Sequence, residues 1–79
     1  LNRFQKSIMV NKEIAKLLKQ KGDLACAERS EILENETAEI RNLNLRNIGL
    51  DEKDIVDITH IIDQENDNIY IKSISFSYN

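Results

Sequence analysis

The sequence predicts an α/β chain: a helical N-terminal cap over residues 1–37, followed by a strand–helix unit over residues 38–79 that begins to repeat. Three observations predict it. Apolar residues recur at helical spacing as far as Leu33. The period then drops to two at Leu43 and Leu45, the signature of a strand with one buried face. Finally, the pattern that opens at Ile40 returns 31 residues later, at Ile71. At 79 residues the chain suits one small domain, in which only a modest fraction of the surface is buried on folding.

Each element follows from local spacing. Leu1, Phe4 and Ile8 share one face of a first helical piece, and Asn11 is placed to cap a second. That second piece turns Ile14, Leu17 and Leu18 inward and Lys12, Lys16 and Lys19 elsewhere, and Gly22 stops it. Asp23 can cap a third piece, with Leu24, Cys26 or Ala27, and Ile32 or Leu33 inward, and Glu28, Arg29, Glu31 and Glu34 outward. Thr37 marks a break. Residues 40–46 read as a strand and Asn47–Leu50 as the turn leaving it. Asp51 and Asp54 stand at capping-box spacing before a helix over 52–63 that faces inward through Ile55, Ile58, Ile61 and Ile62. A polar loop, Gln64 to Asn68, leads to a second strand, in which Ile74 and Phe76 alternate with Ser73, Ser75 and Ser77.

Composition excludes several classes. Apolar residues make up 41% and charged residues 32%, with no Pro and two Gly, which excludes collagen-like and flexible-linker chains. A single cysteine, Cys26, excludes an internal disulfide framework or a cysteine zinc cluster and fits a reducing compartment. No apolar run approaches the ~18 residues of a membrane span. Because the chain opens on Leu1 rather than Met, it is expected to be a fragment. Charge is uneven: residues 1–21 hold six Lys/Arg and one acid, residues 22–79 five Lys/Arg and thirteen acids. An acidic body repels a phosphate backbone, so nucleic acid is not an expected partner.

The order strand, turn, helix, loop, strand carries the informative motif. Ile40-x-x-Leu43-x-Leu45-x-x-Ile48-x-Leu50 aligns with Ile71-x-x-Ile74-x-Phe76-x-x-Asn79. This spacing resembles the leucine-rich repeat family, in its long-repeat subclass, to which ribonuclease inhibitor and Ran GTPase-activating protein belong. The resemblance covers residues 38–79 and implies a βα solenoid: a first repeat over 38–68, the start of a second over 69–79, and an array that continues. Ile48 departs from it, standing where the family has Asn or Cys, whereas Asn79 fills that slot in the second repeat. The rival fold is a βαβ piece of an ordinary α/β protein, which for nucleotide binding would want a Gly-rich phosphate loop that is absent.

Residues that could carry chemistry have plainer readings. His60 lies in the predicted helix, apart from Cys26 and from the strand serines, so no triad assembles and no catalytic residue is assigned. Asp63 to Asn68 resembles the start of a calcium loop, but Asn68 stands where glycine is needed and Ile74 where glutamate is needed; no metal ligand is assigned. Asn35-Glu36-Thr37 matches a glycosylation triplet without a secretion signal. Asp51, Glu52, Asp54 and Asp57 suit a helix N-terminus, and Cys26 suits a small buried site.

No reaction and no cofactor is expected. The resemblance implies protein recognition through a concave strand face displaying Asn42, Asn44 and Arg46 from the first repeat and Ser73, Ser75 and Ser77 from the second. It further implies a scaffold subunit of a larger multi-protein assembly, cytoplasmic and of a cytoskeletal or ciliary kind. Two alternatives stand beside it. One is a GTPase-activating or regulatory protein of the Ran activator type, although that family's residues match neither Arg41 nor Arg46 specifically. The other is a membrane-surface module using the basic residues 1–21, a stretch read first as a cap that buries Phe4, Ile8, Ile14, Leu17 and Leu18.

Overall fold

The computed structural model describes residues 2–36, 42–65 and 71–79. Helix α1 (Arg3–Lys21) is opened by a reciprocal cap: the Asn2 side chain accepts the Gln5 N–H at 2.8 Å, and the Gln5 side chain accepts the Asn2 N–H at 3.0 Å. It closes at Gly22, whose φ of 79° is the left-handed conformation that favours glycine, with its N–H on the Lys19 carbonyl. The expected break at Asn11 is absent. Ser7, Val10, Asn11, Ile14, Ala15 and Leu18 form one continuous buried stripe, and burying it outweighs the few tenths of a kcal/mol by which Asn disfavours a helix interior. Phe4, expected inside, is exposed, while Ile8 and Leu17 are half-buried.

Helix α2 (Leu24–Glu34) follows at once and turns Cys26, Ser30 and Leu33 inward. Asp23 sits at its N-cap, but its side chain makes no capping bond there. Leu24, expected inside, is exposed, and of the alternatives Ile32 and Leu33 it is Leu33 that is buried. Strand β1 (Asn42–Asn44) and strand β2 (Ser73–Ser75) pair in parallel, Asn42 beside Ser73, Leu43 beside Ile74, Asn44 beside Ser75. Two further backbone bonds, Leu45 N–H to Ser75 O and Asn47 N–H to Ser77 O, extend the pairing. Helix α3 (Glu52–Asp63) makes the crossover between the strands, on the expected residues, and Asp51 and Asp54 form its capping box at 2.8 and 3.0 Å.

This architecture corrects the expected βα solenoid of leucine-rich repeats. The protein is a small, mostly helical domain: among the described residues there are three helices of 19, 11 and 12 residues and one two-stranded sheet with three residues in each strand. A solenoid distributes its core along stacked repeats. Here α1 lies against both α2 and α3, and a single core cluster joins Ile14 and Leu18 of α1, Cys26 of α2 and Ile58 of α3 with Leu45. The two strand segments enter this core unequally: Leu43 and Leu45 of the first are buried in it, whereas Ile74 and Phe76 of the second pack against it half-buried.

Charge ties the helices as well. Lys19 bonds Glu34 of α2 at 2.7 Å, and Lys21, partly shielded, bonds Asp54 and lies 3.7 Å from Asp51 at the start of α3. The basic head therefore meets the acidic body within the chain. Leu1, Thr37, the strand starts at Ile40–Arg41 and Ile69, and Asn66 to Asn68 of the polar loop lie outside the described residues.

Candidate interaction face

Parallel register places the predicted site residues together. Asn42 and Ser73 are partners across the sheet, as are Asn44 and Ser75, and their side chains lie on the face opposite buried Leu43 and Leu45. Much of this face is satisfied internally. The Ser73 hydroxyl donates to Asn42 Oδ1 at 2.7 Å, Ser75 and Ser77 hydroxyls share a bond at 3.0 Å, and Asn44 Oδ1 accepts the Arg46 N–H at 3.0 Å. The concave wall implied by a solenoid reduces to a polar patch two strands wide.

Arg46 leaves the serine row. Its guanidinium stacks over the Tyr78 ring, 5.3 Å from the centroid, an arrangement worth about 0.5–1 kcal/mol at an exposed site. Tyr78 was not among the predicted site residues. Strict alternation groups it with Ile74 and Phe76, but its φ of 64° turns the chain out of strand geometry and leaves the ring exposed. A tyrosine ending a serine-rich stretch, one position past Ser77, which aligns with Arg46 at the 31-residue offset, is the signal that sequence offers.

The turn after β1 is held by one side chain. Asn79 Oδ1 accepts the N–H groups of Ile48 (3.0 Å) and Leu50 (3.1 Å), while its Nδ2 donates to the carbonyls of Leu45 (2.6 Å) and Phe76 (2.8 Å). From the other side the buried Cys26 thiol donates to the Ile48 carbonyl at 3.1 Å. Asn47 and Gly49, at φ 53° and 75°, supply the left-handed residues that curl the turn around these contacts.

Between this turn and α2 opens a groove of about 550 Å³, within the ~300–1,000 Å³ of ligand sites. One wall is Ala25, Glu28, Arg29 and Ile32 of α2; the other is Asn44, Arg46, Asn47, Ile48 and Tyr78. Of the six predicted residues, Asn44 and Arg46 line it. Arg29, expected on the outer side of α2, is half-buried there, and its Nε is buried without a hydrogen-bond acceptor. Its place three residues after Cys26 on the buried stripe is the sequence signal for it.

The residues considered for catalysis sit on separate elements, Cys26 on α2, His60 on α3 and Ser73 and Ser75 on β2. Burial, with Asp23 alongside, pushes the Cys26 thiol upward, which keeps it protonated and poorly nucleophilic. His60 is exposed on α3 with Gln64 beside it at 3.2 Å. Asp54 is raised by partial burial, but the Lys21 ammonium and the bonds with Asp51 outweigh this and hold its carboxyl below the ordinary range. Lys21 is raised in turn, chiefly by its bond to Asp54. Among the described residues no group of three His, Cys, Asp or Glu side chains could hold a metal ion, and no helix is long and apolar enough to cross a membrane. Compared with known protein families, curated proteins and solved structures, the chain matches none.

Proposed function

We propose that the chain is a non-enzymatic protein–protein interaction module, a subunit of a larger cytoplasmic assembly, that receives its partner across the strand face and the adjoining groove. The observation that carries this reading is the company around the groove: Tyr78 is 78% exposed with Arg46 stacked on it, and Ile32, on the opposite wall, is 57% exposed. Aromatic and arginine side chains are the residue types that concentrate binding energy at protein interfaces. The internally bonded Asn42, Ser73, Ser75 and Ser77 belong to the strand face beside the groove and add fit rather than energy. The resemblance to leucine-rich repeats enters only through local spacing, the 31-residue register between the strands and the bracing role of Asn79.

A photo-crosslinking amino acid placed at Asn44, and separately at exposed Val56 on α3, tests the reading in an extract of the source cells. Discrete, reproducible adducts at Asn44 and none of the same mass at Val56 are expected. Equal adducts at the two positions, or none at Asn44, overturn it.

A further inference from the structure

We propose, building on the interaction reading, that the groove between α2 and the turn after β1 takes an acidic peptide segment of the partner, whose carboxylate is gripped by Arg29 and Arg46 from opposite walls.

Charge complementarity argues for that occupant. Residues 22–79 carry thirteen acids against five Lys/Arg, so carboxylates are plentiful in the body that holds both arginines. Lys53 in the same body is taken up by Asp57 at 2.7 Å, and the head lysines Lys19 and Lys21 are taken up by Glu34 and by Asp51 and Asp54. Neither Arg29 nor Arg46 has a carboxylate partner among the described residues, and both line one groove. Arg46 is held in place by the Tyr78 ring, which leaves its N–H fork free to donate. Among the described residues the buried Nε of Arg29 has no acceptor, which marks its guanidinium as an uncompensated charge beside the groove that Arg29 lines. A carboxylate offers two oxygens to such planar forks, a geometry that a lone backbone carbonyl cannot match. The amides of Asn44 and Asn47 stand beside Arg46 to bond the peptide backbone, and Ile32 and Ala25 offer apolar contact for a flanking side chain. Glu28, on the rim, opposes any acidic guest and sets a ceiling on affinity.

Fluorescence anisotropy with the whole chain tests this, using three labelled eight-residue peptides: one with alternating Glu and Leu, its Gln/Leu counterpart, and a Lys/Leu counterpart. The Glu/Leu peptide is expected to bind at least about tenfold more tightly than the other two. Arg29→Met and Arg46→Met should each erase that preference, and Arg29→Lys should restore little of it, since an ammonium lacks the planar fork. Lys12→Met, outside the groove, should leave binding unchanged. Glu28→Gln should tighten it about two- to fivefold, a gain that no loss of folding imitates. Circular dichroism melts establish that the variants are folded. Equal binding of the three peptides, or a preference surviving in both Met variants, overturns the carboxylate grip. The crosslinking result at Asn44 is independent of it, so adducts there with no peptide preference leave the interaction reading standing and remove only this inference.

Discussion

Replacing Asn79 by Ala tests whether one side chain braces the turn on which the groove depends. Four hydrogen bonds vanish: two N–H groups, of Ile48 and Leu50, lose their acceptor, and two carbonyls, of Leu45 and Phe76, lose a donor. Ile48 and Leu50 carry buried side chains, at 5% and 4% exposure, so their backbone cannot move far to find water without pulling those side chains out of the core. A typical bond is worth about 0.5–1.5 kcal/mol net, and the site is partly open, so the loss is about 2–4 kcal/mol. For a domain of this length that lowers Tm by roughly 10–25 °C. Thermal melts followed by circular dichroism read the change directly. Asn79→Asp sharpens the test. It keeps the acceptor but sets carboxylate oxygens against two carbonyls, so the new carboxyl is raised above its unfolded value. Such a group stabilises when protonated, so the variant should gain stability relative to the parent as pH falls through the raised folded value, a gain that is complete once pH is below the unfolded value of about 3.9. A melting point for Asn79→Ala within about 2 °C of the parent would show that water replaces the side chain, and the bracing argument fails.

Three further outcomes follow from the same structure. Asn11 is 3% exposed with its Nδ2 unpartnered, so Asn11→Leu should stabilise by about 1 kcal/mol, seen as a higher urea midpoint; a lower midpoint would mean the amide has a role that packing does not reveal. Gly49→Ala meets open space, its nearest neighbour being an Asp23 oxygen at 4.0 Å, yet φ is 75°, so the backbone alone should cost about 1–2 kcal/mol in the same assay; no loss would remove the strain argument. Asp54, lowered in the fold, contributes stability that is present above about pH 3.9 and is lost as pH falls through its folded value, while Lys21, raised, contributes stability that is lost only as pH rises past about 10.4. The melting-point gap between the parent and Asp54→Asn should therefore hold between pH 5 and 9 and narrow as pH falls below the unfolded value of about 3.9, and a gap indifferent to acid contradicts the pairing.

What sequence could disclose was local, and what it could not was which apolar stripe wins when several compete. Helix α3 was legible to its ends, because Asp51 and Asp54 cap it and its isoleucines keep one face. The strand register was legible because the 31-residue offset repeats the alternation of Leu43 and Leu45 at Ile74 and Phe76. Asn11 misled. By itself it is a good cap, but Ser7, Val10, Ile14 and Leu18 carry a buried stripe straight past it, and a stripe is visible only when the neighbouring helix is known. Leu24 misled for the complementary reason, and the choice between Ile32 and Leu33 stayed open: α2 is short, and its buried side is Cys26, Ser30 and Leu33. The same choice of face brought Arg29 into the groove. The solenoid inference failed at this level too, since spacing within one strand–helix–strand unit says nothing of how much of the core the preceding helices claim.

That rotation of α2 also bears on how the groove would work. Its two walls are fastened to each other from beneath, where the Cys26 thiol on α2 meets the Ile48 carbonyl of the turn, and the turn is fastened to the second strand by Asn79. Lys19 pins the far end of α2 through Glu34. A site braced on three sides loses little conformational freedom when a guest enters, which is where much of the cost of binding ordinarily lies. The two arginines differ accordingly: Arg29 is half-buried on α2, whereas Arg46 is exposed and, among the described residues, its guanidinium is oriented by the Tyr78 ring. Removing that ring by Tyr78→Ala should thus weaken a guest's grip through Arg46 while leaving the melting point nearly unchanged, whereas Cys26→Ala should shift the melting point first and binding only as a consequence.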